Sequence, residues 1–344
     1  MSSTGSIKKY TPKLGRREIF TITLLAIELL VFSLISENFL TFSNLRSVLR
    51  NATDMAVVSI GMTMVIILGG IDISVGSALG VVAIVVGWLI QAQVNPLLIA
   101  LVGILVGTLI GLLNGVLITY GRIPDIIATL GMSNILRAVV FGMLGGRWLT
   151  GLPPVFGPLA QGLFFGIPSS VFILVFFYAL FWYLLTHRPF GRHIYAVGNS
   201  LEAATLAGID ARRTRVLSYA ILGSLVGFAS LLYVGRLGSV EITVGIDLPI
   251  ACIAAVFIGG ASVLGGRGSV IGTLAGVLFM AVMKNGVVLL GIPSLWERAV
   301  VGALIILSAL ADLAVNRRSE LEKRRQLYRQ RQATTKASVT WEGA

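Results

Sequence analysis

Apolar residues run along the chain in ten long stretches, at 19–36, 55–71, 73–91, 97–120, 125–144, 168–186, 215–235, 248–264, 269–290 and 292–312. Most are close to the ~20 residues that a helix needs to cross a hydrocarbon core. The pattern predicts an all-α polytopic membrane protein, with about ten transmembrane helices in a compact bundle. The first run follows a basic stretch. It is too long for the apolar core of a signal peptide and lacks a small-residue cleavage site, so it reads as an uncleaved first span.

Two places break the apolar pattern. Gly69-Gly70-Ile71-Asp72-Ile73-Ser74-Val75-Gly76 sets glycines and one carboxylate between two runs, and Gly259-Gly260 followed by Ser262 and Gly265-Gly266-Arg267-Gly268 does the same in the second half. Irregular backbone at membrane depth survives only inside protein or beside a water-filled cavity. Broken or re-entrant segments are therefore expected near 69–77 and 259–269, and paired interruptions point to a translocation path. A helix starting near Ile73 would put Asp72 at its N-cap; contact with a transported solute is the other reading. Asn114 could line a passage or join helices. Glycines at four-residue spacing, Gly103 to Gly115, Gly223 with Gly227 and Gly272 with Gly276, are expected to mark close helix contacts.

Composition agrees with lipid as the solvent. Only 12% of the 344 residues are charged while 56% are apolar, and a soluble domain carries roughly twice that charged fraction. The net charge of +12 brings nucleic acid to mind, but no recognition module accompanies it. Its placement is more informative. Basic residues gather at Lys8 to Arg17, at Arg188 to Arg215 and from Arg317 onward, which is the positive-inside signature. Six crossings before the middle segment and four after it put all three segments, and both termini, on the cytoplasmic side. The expected layout is an N-terminal cytoplasmic segment 1–18, a membrane domain 19–312 with a cytoplasmic loop 187–214, and a basic cytoplasmic tail 313–344, either disordered or lying on anionic lipid. Residues 37–54 and 236–247 are expected as outer loops.

No enzyme constellation is present. The sequence has no Gly-x-x-x-x-Gly-Lys-Ser/Thr phosphate loop, and two histidines with one cysteine supply no closed zinc set. No cofactor or metal is expected. Embedded charges are few, namely Glu28, Arg137, Lys284 and Arg298, with no relay of acids or histidines for proton coupling. Any nucleotide energy must be supplied by another polypeptide.

The loop 187–214 carries the most specific pattern. Asn199 or Ser200 is suited to cap a short helix with Glu202 in its first turn, Ala203 and Ala204 within it and Gly208 ending it. Such a helix is too short to stand alone and needs tertiary or partner contacts.

Glu202-Ala203-Ala204 with Gly208 resembles the Glu-Ala-Ala-x-x-x-Gly pattern of permeases in binding-protein-dependent ABC importers. The neighbouring Gly191-Arg192-x-x-Tyr195-Ala196-x-Gly198-Asn199, the Gly-Ile-Asp-x-Ser-Val-Gly segment from Gly70 to Gly76 and the glycine-rich segment from Gly259 to Gly268 look like the ribose-type sugar branch. The resemblance covers roughly residues 20–312. It implies an inner-membrane subunit that pairs with a second permease copy or a paralogue, binds a cytoplasmic ABC ATPase through the Glu202 to Gly208 helix, and receives a monosaccharide or small polyol from a periplasmic or lipid-tethered binding protein. Gly145 to Pro153 looks like the corresponding loop of an autoinducer-2 permease, a second solute within the same branch. An ion-coupled carrier is the competing mechanism.

Overall fold

The computed structural model describes residues 16–293, 296–308 and 310. The helices are α1 (Arg16–Ile35), α2 (Phe42–Ile67), α3 (Val75–Gln91), α4 (Pro96–Thr119), α5 (Asp125–Leu144) and a short α6 (Gly157–Gln161). A small hairpin follows, β1 (Leu163–Phe164) and β2 (Ile167–Pro168), antiparallel with Leu163 opposite Pro168. Then come α7 (Ser169–His187), α8 (Pro189–Asn199), α9 (Leu201–Leu206), α10 (Ala211–Leu237), α11 (Leu248–Ile258) and α12 (Val270–Leu289). Residues 296–308 are helical as well. Among the described residues, six helices are long and apolar enough to cross a membrane: α1, α4, α5, α7, α10 and α12. The N-terminal basic cluster from Lys8 to Lys13 and the tail from Arg317 lie outside the described residues.

Helix α2 is the centre of the bundle. It is buried on every side from Ala52 to Ile67, enclosed by α7, α10, α11 and α12. Two polar ties cross this interior. The Tyr178 hydroxyl donates to the Ala56 carbonyl at 3.0 Å, and Thr63 and Thr273 share a hydroxyl contact of 2.7 Å. The outer helices show apolar side chains to their surroundings, among them Leu97, Leu101 and Leu105 on α4 and Val175 and Phe176 on α7. That is the expected surface when the solvent is hydrocarbon.

The glycine ridge on α4 does what its spacing predicts. A Cβ on Gly107 would overlap the Gly223 carbonyl of α10, and one on Gly111 would overlap the Tyr219 carbonyl. Lipid gives little hydrophobic drive for helix association, so backbone approach and van der Waals contact hold α4 to α10. Gly276 makes the same kind of contact with Ala255 of α11.

Neither expected outer loop is a simple surface loop. Residues 37–54 are largely the first half of α2, which starts at Phe42 with the Thr41 hydroxyl accepting from the Asn44 amide. The polar residues there read as a loop because they project from helical turns beyond the buried stretch. The run 248–264 holds only the 11 residues of α11, about 16 Å of rise against a core of about 30 Å. The chain before it, expected outside, folds into the bundle instead. Val240 and Val244 are buried, Leu149 and Val240 exchange backbone hydrogen bonds at 3.0 and 2.8 Å, and Arg137 donates to the carbonyls of Ile242 (3.1 Å) and Val244 (2.8 Å). Arg137 thus satisfies backbone that has no helix to satisfy it.

Candidate functional site

The first break turns at Gly69, whose φ of +82° is in the left-handed region. Beyond it Asp72 is buried, and its Oδ1 accepts from the Ser74 amide at 2.8 Å and the Ser74 hydroxyl at 2.6 Å. The Asn114 side-chain amide of α4 donates to Asp72 Oδ2 at 3.2 Å and to Ser74 Oγ at 2.7 Å. Asp72 is therefore not the N-cap expected from sequence. The helix α3 begins at Val75 with Ser74 in the cap position, and the Ser74 carbonyl accepts the first helical bond from Ala78. Asp72 closes the turn two residues earlier, a local bond that competes with helix extension. Asn114 joins two segments, and its Oδ1 has no partner among the described residues. Gly70 sits against the Asp125 carboxylate and the Tyr219 hydroxyl, which are themselves bonded at 2.7 Å.

The second break closes on itself and then on the first. The Ser262 amide donates to the Arg267 carbonyl at 2.9 Å, the Gly265 amide donates to the Ser262 carbonyl at 3.1 Å, and the Gly266 amide donates to the Ile67 carbonyl at 2.7 Å. Gly259 and Gly272 meet backbone to backbone, while Gly260 carries a φ of +92°. Gly76 is the second residue of α3, pressed against Gly245 of the infolded segment.

Helix α8 seals this junction. It buries Gly191, Ile194 and Val197. A Cβ on Gly198 would overlap the Ile67 carbonyl that also receives Gly266. The Tyr195 hydroxyl donates to the Gly268 carbonyl at 2.8 Å, and the Asn199 amide donates to the Gly266 carbonyl at 3.4 Å. Ser200 then caps α9, accepting from the Ala203 amide at 3.2 Å, and Gly208 ends the turn with a φ of +80°. The short helix expected here is α9, capped at Ser200, and a further helix, α8, precedes it across a sharp turn at Ser200. Only Ala204 of α9 is buried; Glu202 and Ala203 are exposed, as are Leu201 and Leu206, the last at 84%. An apolar, acidic-tipped surface on α9 therefore follows directly on α8, which packs against Ile67, Gly266 and Gly268.

Elsewhere, α2, α10, α11 and α12 border a half-open pocket of about 450 Å³. Asn51, Asp54, Tyr233, Asp247, Lys284 and Glu297 are among its lining residues. Three ion pairs surround it: Arg236 with Asp54 at 2.7 Å, Lys284 with Glu297 at 2.7 Å and Arg298 with Asp247 at 3.0 Å. None of Gly70, Asp72, Ser74 and Asn114 lines it.

A family model described as branched-chain amino acid transport system / permease component matches residues 44–309. The chain belongs to this permease family. It is 37% identical to the ribose import permease protein RbsC of Bacillus subtilis over 90% of this chain and 94% of that one. It is 34% identical to RbsC of Escherichia coli K12, covering 90% of this chain and 98% of that one. It is 30% identical to the autoinducer 2 import system permease protein LsrC of E. coli O9:H4, covering 91% and 92%. No solved structure matches the chain. With its long apolar helices, the family membership makes it a multi-pass membrane protein.

Set against the residues expected from sequence, the structure joins the two breaks and the α8–α9 segment at one end of the bundle. Sequence reasoning missed the cavity. Its one available signal was chemical: Lys284 and Arg298 were legible as embedded cations, and an embedded cation calls for an acid. Their partners Glu297 and Asp247 are distant in sequence and only the fold pairs them.

Proposed function

We propose that this family member is the membrane-spanning subunit of an ATP-driven importer for ribose or a closely related monosaccharide. The carrying observation is the α8–α9 platform. An exposed short helix bearing Glu202, Ala203 and Leu206 stands on the junction of the two broken segments, so force applied there reaches backbone in both halves of the bundle. The subunit itself does no covalent chemistry. A cytoplasmic ABC ATPase grips α9, and nucleotide-driven closure favours one bundle arrangement over the other only because α9 contacts differ between them. A second permease copy completes the pore, and a solute-binding protein delivers sugar at the opposite face. The protein resides in a bacterial inner membrane with both termini, α8 and α9 on the cytoplasmic side. The ribose permeases among its relatives support ribose ahead of autoinducer-2, since LsrC shares fewer positions.

The test is reconstitution. Proteoliposomes holding the permease, its ATPase and the binding protein should accumulate ribose only with ATP inside the ATPase compartment. Glu202→Lys should abolish this while leaving insertion intact. Uptake that follows a proton gradient without ATP would establish an ion-coupled carrier instead.

A further inference from the structure

We propose that the hairpin Leu163–Pro168 is a membrane-interface anchor, whose tip residues Phe164 and Phe165 insert among lipid acyl chains beside the end of α7 remote from α8. The inference is independent of the solute carried and needs only that the chain spans a bilayer.

The hairpin breaks a local rule. Its two strands are joined by Phe165-Gly166 alone, with φ of +52° and +78°, the pair of left-handed residues that a two-residue turn of type I′ requires. Asn, Asp or Gly suits the first of these positions, and a bulky side chain there strains the backbone. Phe165 nonetheless occupies it and is fully exposed, at 101%, so no packing within the protomer offsets the strain. From Leu163 to Pro168 the sequence holds no polar side chain, and Leu163, Phe164 and Ile167 are exposed as well. A hairpin tip standing in water is ordinarily built from polar turn residues.

The neighbour of the tip shows what covers it. The Phe164 ring meets Phe172 edge to face, 6.2 Å between centroids with the planes at 90°. Phe172 is the fourth residue of α7, about 4.5 Å of rise from the first. The hairpin thus lies against the flank of the helix rather than beyond its end. That flank is apolar along its length: Phe172, Val175, Phe176, Leu180 and Tyr183 recur at helical spacing and are exposed, while Ile173, Leu174 and Tyr178 are buried. Because α7 is long and apolar enough to cross a membrane, its outward stripe faces hydrocarbon, and Phe164 continues that stripe without a polar interruption.

The depth of insertion is limited from the other side. A two-stranded hairpin leaves the backbone groups on its outer edges unpaired, and these must reach headgroups or water. The base is also fixed. Arg46 and Arg50 of α2 both donate to the Gln161 carbonyl, at 3.2 and 2.9 Å, the Gln161 side-chain amide donates to the Arg236 carbonyl at 2.6 Å, and the Ser169 amide donates to the Gly162 carbonyl at 3.0 Å. Charged side chains at the root and aromatic rings at the tip match the layering of the interface, polar headgroups outside and acyl chains within.

The test uses the full-length permease with its ATPase in liposomes, in a Cys252→Ala background. Phe165→Cys carries an environment-sensitive nitrobenzoxadiazole label, with Val175→Cys as the lipid-facing reference and Gln91→Cys, exposed at the end of α3, as the aqueous one. Iodide on both faces of the membrane should quench the Phe165 label at least fivefold less than the Gln91 label. Lipids carrying a nitroxide near the head of the acyl chain should quench it more than lipids carrying one near the methyl end. Iodide quenching equal to that at Gln91 overturns the proposal. So does protection from iodide without nitroxide quenching, which would mean that a second copy of the chain covers the tip. Protection that arises only when solute-binding protein is added also overturns it and makes the hairpin a docking element for that protein. Phe164→Cys gives the same readings should Phe165→Cys fail to insert.

Discussion

The two polar regions of this bundle are built on opposite plans. At the α8–α9 end, Asp72, Ser74 and Asn114 bond to one another, and glycines bring Ile67, Gly198 and Gly266 into backbone contact. At the other end, charged side chains of similar cost stand apart around open volume. The same energetic expense, placing charge in an apolar bundle, thus makes a packed junction at one end and a lined pocket at the other.

If that contrast is right, changes at the junction should cost more than changes at the pocket. The largest effect is expected from Gly198→Val, because a Cβ there collides with the Ile67 backbone, which has no flexible side chain to move aside. Uptake should fall to background and thermal stability should drop, by about 1–3 kcal/mol or more if overpacking is typical; a fluorescence-detected melting curve beside a transport assay checks both. Next comes Leu206→Asp on the exposed face of α9, which should reduce uptake and ATPase co-purification at least tenfold while the melting temperature stays unchanged.

Asn114→Leu should rank third. It removes the amide that serves Asp72 and Ser74 and leaves buried acceptors short of a donor, a loss of about 1–3 kcal/mol. Solute preference should not change, and competition assays with other sugars check that point. The smallest effect is expected from Arg298→Ala at the pocket rim. Its pair with Asp247 is more than half exposed, and such pairs contribute about 0–1 kcal/mol; the melting curve should be indistinguishable from wild type. Reversal of this order, with the rim change unfolding the protein and the junction changes tolerated, would dissolve the contrast.

How much of this was legible beforehand follows from the range of the interactions. Helices announced themselves through uninterrupted apolar runs, and the α4 glycine ridge through its local spacing, because both depend on neighbours in sequence. The cap of α9 at Ser200 was likewise local. Asp72 was misplaced because its rotamer was free to bond either the first helical amides or the turn before them, and Asn114 decided the matter from 42 residues away. Half-helix α11 escaped because an apolar segment that folds into protein and one that crosses lipid have the same composition. Arg137, which supports that infolded chain from 105 residues away, looked only like a stray charge. The cavity was invisible for the same reason: its ion pairs join residues such as Asp54 and Arg236 that only the fold brings together.

The most direct test of the central claim concerns where α9 faces and what it touches. In the Cys252→Ala background, Leu206→Cys should cross-link to a cysteine on the ATPase with a yield that changes between nucleotide-free and ATP-bound states, and should resist impermeant maleimide applied to intact cells. Rapid labelling of Leu206→Cys from outside the cell, or an ATPase cross-link indifferent to nucleotide, would contradict the account.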